Sequence, residues 1–280
     1  DRLAYLIGAD VRLSVSWPRQ GAQNAGASYG DLTTAGDTAD EGGLQTRRYR
    51  EPSFAVYRTL AGVQSAARVF ERDGVQVTGT KSVRNAHLMA FDPADFARTA
   101  WYRSDLWTVH FYEYLNVMSM NERAVIVSNS LATRLNVQMG DWITMGWDGS
   151  ESAQFYIAGI VNYWPGWDPA AGIGSEPMLV VADLNVVQAF MAVEPYEVWL
   201  KLDDHANVQA LYDDMAANDI HPLTLCNFPE ENIALINGSN RLAVNGAMTL
   251  GFIASCIVCA LGFLLYWQMY LRKNQLQLGL

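Results

Sequence analysis

Positive charge is scarce in this sequence. Its 19 Lys and Arg stand against 29 Asp and Glu, a net charge of −10, and the basic residues gather into no patch of the kind a phosphate backbone requires, which argues against a nucleic-acid partner. Cysteine is scarcer still. Of the three, Cys256 and Cys259 fall within one apolar stretch and only Cys226 lies outside it, so the body of the chain has no internal disulfide available. The apolar pair has C-x-x-C spacing, but no further metal or redox ligands stand near it.

The motifs of catalysis are missing too. There is no G-x-x-x-x-G-K-[ST], and Gly172-Ile173-Gly174 lacks the third glycine and the flanking strand of a dinucleotide site. His87, His110, His205 and His221 are scattered without ligand-pair spacing. Gly26-Ala27-Ser28-Tyr29-Gly30 fits G-x-S-x-G, yet a nucleophile elbow needs a strand before it and a helix after it, and neither pattern is present. The acidic pairs Asp203-Asp204, Asp213-Asp214 and Glu230-Glu231 read as solvated surface, because adjacent residues on a helix point apart. No catalytic, cofactor-binding or metal-binding residue is assigned, no cofactor is expected, and the chain is not expected to be an enzyme.

What is present is one long apolar run. From Arg241 to Arg272 no residue between the two arginines is charged, and Ala247 to Leu271 is apolar at nearly every position. About 20 helical residues cross a hydrocarbon core of about 30 Å, so this segment is long enough to span. Tyr266, Trp267 and Tyr270, followed by Arg272 and Lys273, fit an aromatic belt and a positive-inside signal, which predicts a cytoplasmic C-terminus and an extracytoplasmic body. A helix from Arg241 to Arg272 is about 46 Å long, so the excess is expected to project outward through Asn245 and Gly246 as a stalk. Ala247, Gly251, Ser255 and Cys259 recur every four residues, a face of small side chains suited to packing against another membrane helix. The chain starts at Asp1 without Met and stops soon after the basic residues, so it is expected to be a fragment of a larger membrane protein.

The remainder reads as strands and helices in alternation. Val11 to Trp17 has the period-two pattern of a half-buried strand, and residues 18–47, rich in Gly, Ala, Thr and Asp, read as a mobile loop. Pro52 to Ala61 predicts a short helix. Strands are expected over Ser65–Phe70, Val75–Thr80 and Ala86–Phe91, the first two parted by Asp73-Gly74. Asp92-Pro93 predicts a capped helix start, and Asp105–Met118 an aromatic-rich helix packing through Leu106, Phe111, Tyr114 and Leu115. Strand Ala124–Val127, a helix capped by Ser128 or Asn129, and a hairpin of Asp141–Trp147 with Phe155–Tyr163 follow. Then come strand Met178–Val181, helix Leu184–Met191, strand Val198–Leu202, helix Ala206–Ala217 and strand Pro222–Cys226. The class is α+β.

Several segments together resemble the FtsX-like permease family of ABC transporters, which includes relatives of MacB and the lipoprotein-releasing permeases. They are Gly8-Ala9-Asp10-Val11, Ala124 to Ala132 with Leu135 and Gly140-Asp141, Ile157 to Val161 with Tyr163-Trp164-Pro165, Val198-Trp199-Leu200, and Arg272 to Leu280, which departs from the family in that Gln277 or its neighbours replace the acidic position. The resemblance implies a two-lobed extracytoplasmic domain over 1–240 with a MacB-like periplasmic core, a stalk and transmembrane helix over 241–271, and the start of a cytoplasmic segment at 272–280. It also implies a bacterial cytoplasmic-membrane location, and a mechanotransmission permease that couples ATP hydrolysis by a separate cytoplasmic ABC ATPase subunit to export, extraction or force transmission. Its expected partners are that ATPase, further transmembrane helices of the same permease and membrane lipid. The alternative is a membrane-tethered ligand-binding or sensor domain with grooves lined by Tyr102, Trp107 and Trp164.

Overall fold

The computed structural model describes residues 2–18, 49–107, 109–170, 177–203, 206–228 and 239–278. The chain forms two units, Asp1–Phe228 and Pro229–Leu280. The first opens with α1 (Arg2–Ile7) and β1 (Val11–Val15), followed by a 3-10 turn (Phe54–Thr59), β2 (Val63–Thr78), β3 (Ser82–Phe91) and α2 (Pro93–Thr99). A second 3-10 turn (Ser104–Leu106), α3 (Phe111–Met120), β4 (Ala124–Ser128), α4 (Asn129–Leu135), β5 (Trp142–Gly146) and β6 (Ala153–Val161) follow. The unit ends with β7 (Leu179–Asp183), α5 (Leu184–Phe190), β8 (Glu197–Leu202), α6 (Val208–Ala217) and β9 (Pro222–Asn227). Among the described residues the second unit contains one helix, α7 (Ser239–Leu278).

The nine strands lie in the order β3-β7-β4-β6-β5-β2-β8-β1-β9, and β3 also pairs with β2. That extra pairing closes six strands into a ring, while β8, β1 and β9 extend from the first half of β2. The two parts therefore share one strand within one compact unit. β2 makes this possible by changing partners: Val63–Val69 pairs with β8, and Gln76–Thr78 pairs with β5.

Sequence reading expected two strands where β2 is one. Asp73-Gly74 is the reason: it looks like a turn, but Gly74 takes φ +76° inside the strand and the register with β3 slips between Arg72 and Val75. The turn residues make a bulge, which bends a strand without ending it. Asp73 is held there by His87, with Nδ1 2.7 Å from its carboxylate.

The expected helix from Asp105 begins instead at Phe111. Trp107 and Val109 are weak helix formers, and His110 accepts from the Tyr112 amide at 3.3 Å as the N-cap. Asp92 caps α2 as expected, accepting from the Ala94 and Asp95 amides. At α4 it is Ser128 that caps, through Leu131 N–H, while its Oγ also accepts from Leu179 N–H at 3.0 Å. The loop expected over 18–47 lies, Pro18 aside, outside the described residues.

Alternate residues of the central strands feed two cores. Val125, Val127, Val180, Ala182, Val198 and Leu200 join one, which fills the ring and continues under the extension. Ile126, Leu179, Val181 and Trp199 join the other, an aromatic cluster beneath α2 and α3. A strand buried on both faces reads as a continuous apolar run, as β4 and β7 do.

Candidate functional site

The features that bear on function lie where the chain enters and leaves the first unit. β1 and β9 are antiparallel neighbours, with Val11 opposite Asn227. Asp10 joins them to β8: its carbonyl accepts from Phe228 N–H at 2.8 Å, and its carboxylate accepts from Leu202 N–H at 2.9 Å.

The entry segment is fixed further by a node around Trp199, a fully buried residue of β8. Gly8 ends α1 with φ +78°, its N–H donating to Ala4 O. A Cβ on Gly8 would fall 2.7 Å from the Trp199 ring, and one on Gly166 (φ +80°) would fall 2.5 Å from it, so both backbones rest directly on the indole. Only glycine combines that conformation with so close an approach. Gly166 N–H donates to Tyr5 O at 2.9 Å, and Trp101 N–H to Gly8 O at 2.7 Å.

Arg12 completes the node from β1. Its guanidinium lies 4.7 Å from the centre of the Trp199 ring and donates to Glu197 from both Nε (2.9 Å) and Nη2 (2.6 Å), and from Nη2 to Glu71 (2.9 Å). Nη1 reaches Ile7 O at 3.4 Å. Burial works against both charges. Desolvation raises the Glu71 carboxyl above the ordinary range despite the adjacent guanidinium, whereas the two carboxylates overcome desolvation at Arg12 and hold its proton more firmly.

Around this node lies the aromatic cluster. Phe96 stacks on Phe91 with centroids 3.7 Å apart and on Trp164 at 6.3 Å, and Trp107 meets Trp164 edge-on at 5.6 Å. This corrects the expected groove. Trp164 is fully buried and Trp107 half-buried, both packed against Phe111, so they fill the interior. Tyr102 lines a cavity of about 450 Å³ with Asp10, Ser65, Tyr112 and Lys201.

α7, taken by itself, is long and apolar enough over Ala243–Lys273 to cross a membrane. It is continuous through Asn245 and Gly246. Phe252, Leu264 and Trp267 are exposed, and among the described residues a Cβ at Gly246, Gly251 or Gly262 would meet nothing within 4 Å.

The other residues singled out in the sequence take local structural roles. His221 meets Asp219 at 3.1 Å. Asp213 accepts from Gln209 and Asp214 from the Ala61 amide, pointing apart as adjacent helical residues do. Gly140 turns with φ +101°, and Asp141 accepts from Gln138 N–H at 2.7 Å. Among the described residues no three His, Cys, Asp or Glu side chains gather as metal ligands. Gly26–Gly30, Gly172–Gly174, Asp204, His205 and Glu230-Glu231 lie outside the described residues. The Arg12 and Trp199 node was missed. Its one sequence signal is the pairing of Gly8, just after an apolar turn, with Gly166 between Trp164-Pro165 and Trp167.

No protein-family model and no curated protein matches the sequence. Among solved structures, the periplasmic region of MacB from Actinobacillus actinomycetemcomitans is similar at 13% identity and TM-score 0.46, over 83% of this chain and 95% of that one. The extracellular domain of the noncanonic ABC-type transporter YknZ from Gram-positive bacteria is similar at 11% identity and TM-score 0.36, over 57% and 73%. A domain of a candidate permease protein from Porphyromonas gingivalis is similar at 12% identity and TM-score 0.40, over 59% and 73%. The likeness is one of outline, not of residues.

Proposed function

We propose that this chain is the extracytoplasmic domain and following membrane helix of an ABC permease of the mechanotransmission type, with ATP hydrolysis carried out by a separate cytoplasmic subunit. One observation carries the reading: the strands by which the folded unit is entered and left are paired with each other, Val11 opposite Asn227. A domain inserted between two membrane helices needs this arrangement, because both its arms must return to one surface. A module hung from a single anchor has no such need. The apolar helix after the exit strand supplies one of the two anchors, and its small-residue face is suited to further helices of the same permease. The sensor alternative loses the groove that motivated it, since Trp164 and Trp107 are packed into the core.

The reading is tested in the assembly purified with its ATPase subunit. Spin labels at exposed Asn85 should report a different distance or mobility in the nucleotide-free and vanadate-trapped states. Identical spectra in both states, with the ATPase turning over, would point to a tethered binder.

A further inference from the structure

We propose that the two arms of this domain are mechanically unequal: the entry arm, α1 through Gly8, carries displacement into the whole folded unit, and the exit strand β9 follows. The inference rests on the permease reading and divides the labour within it.

The entry arm is tied to three separate parts of the unit. Tyr5 O holds Gly166 in the turn that follows β6, Gly8 O holds Trp101 beyond α2, and Arg12, four residues after Gly8, holds Glu71 of β2 and Glu197 of β8 while reaching back to Ile7 O. Push and pull are both covered. Gly8 and Gly166 already touch the Trp199 ring, so compression passes through hard contact, and tension passes through the hydrogen bonds. The turn bearing Gly166 cannot move alone either, because Trp164 in it stacks on Phe91 of β3 and Phe96 of α2. Displacement of α1 therefore reaches the ring as well as the extension.

Among the described residues the exit arm has a shorter reach. β9 pairs with β1 alone, at the edge of the sheet. Beyond that ladder Asn227 donates to Tyr212 of α6 at 3.2 Å, Phe228 N–H donates to Asp10 O at 2.8 Å, the Thr224 hydroxyl meets that of Ser14 at 2.6 Å on the same β1, and Leu223 faces solvent. Pulling on an edge strand loads its own ladder first.

The test uses the full chain in membrane nanodiscs and follows amide hydrogen exchange. The Trp101 and Gly166 amides donate directly to the entry arm, so their protection reports its docking. Without nucleotide or ATPase, Arg12→Gln should lower protection at both amides together, by about tenfold or more, while β9 amides change little. Should that variant unfold the whole unit, Gly8→Ala, which alters no member of the ion network, gives the same readout. Unchanged protection at Trp101 and Gly166 in a folded variant overturns the inference whatever the protein's function. With the ATPase present, vanadate trapping should alter exchange at these two amides more than in β9. A response confined to β9 overturns the inference. No response anywhere in wild type, alongside the expected Arg12→Gln result, overturns the permease reading and leaves the inequality of the arms standing.

Discussion

The Asp10 carbonyl accepts a hydrogen bond from the Phe228 amide at 2.8 Å, joining the first residue before the sheet to the first residue after it. The same residue's carboxylate takes the Leu202 amide, so one side chain and its own carbonyl secure three stretches of chain. Asp10→Ala leaves the Leu202 N–H without its acceptor and should cost about 1–2 kcal/mol by denaturant unfolding. Asp10→Asn keeps an acceptor oxygen and should lose less.

Two glycines of nearly equal φ should behave differently when substituted. At Gly74 (φ +76°) a Cβ meets nothing within 4 Å, so alanine brings only backbone strain, about 1 kcal/mol. At Gly166 (φ +80°) the Cβ also strikes the Trp199 ring at 2.5 Å, and overpacking adds about 1–3 kcal/mol. Equal midpoints for Gly166→Ala and Gly74→Ala would show that the loop yields freely.

Two desolvated acids set an expected pH trend. Desolvation raises the carboxyls of Glu71 and of Asp183, the cap of α5, above their ordinary values. An acid so shifted binds its proton more tightly folded than unfolded. The stability it contributes is therefore fully present below the ordinary carboxylate range and is lost as pH rises through the raised value. Asp183→Asn retains an oxygen for the Asn185 amide and should flatten this decline. A mutant curve parallel to wild type above pH 4 would count against it.

On α7, Gly251→Leu should leave the chain's own folding unchanged, since a Cβ there meets nothing within 4 Å among the described residues. Any loss of substrate movement with ATP hydrolysis retained then reports a neighbouring helix supplied from elsewhere. Val244→Pro, which breaks the helix near its N-terminal end, should uncouple in the same way. Wild-type movement in both variants would reduce the segment to an anchor.

Orientation is checked by cysteine labelling. Ser65 is a poor reporter, because it is half-buried and donates to Arg98 O, whereas Asn85 is exposed. In intact cells an impermeant maleimide should reach Asn85→Cys and spare Gln277→Cys. The reverse pattern would invert the topology.

Much of the fold was legible because its signals are local. Apolar runs marked β4 and β7, Asp92-Pro93 marked α2, and a charge-free stretch marked α7. Legibility failed where one local signal serves two outcomes: Asp73-Gly74 suits a turn as well as a bulge, and only the presence of β5 beyond β8 decides between them. His110 carries no capping signature in sequence. The node around Trp199 was hidden for a different reason. It joins residues from the first and last thirds of the unit with a glycine between them, and no periodicity reports a contact between distant backbones.

The place of β1 also bears on the order in which the unit can be made. β1 is the first strand to leave the ribosome, yet its partners, β8 and β9, are the last. The β2–β3 hairpin and the strands that close the ring can pair as they emerge, while β1 waits with Val11 and Leu13 uncovered. The base of the domain is thus the final part to close, and contacts of such long range are slow to form. Through most of the translation of this unit, Val11 and Leu13 therefore have no strand to pair with until β8 is made.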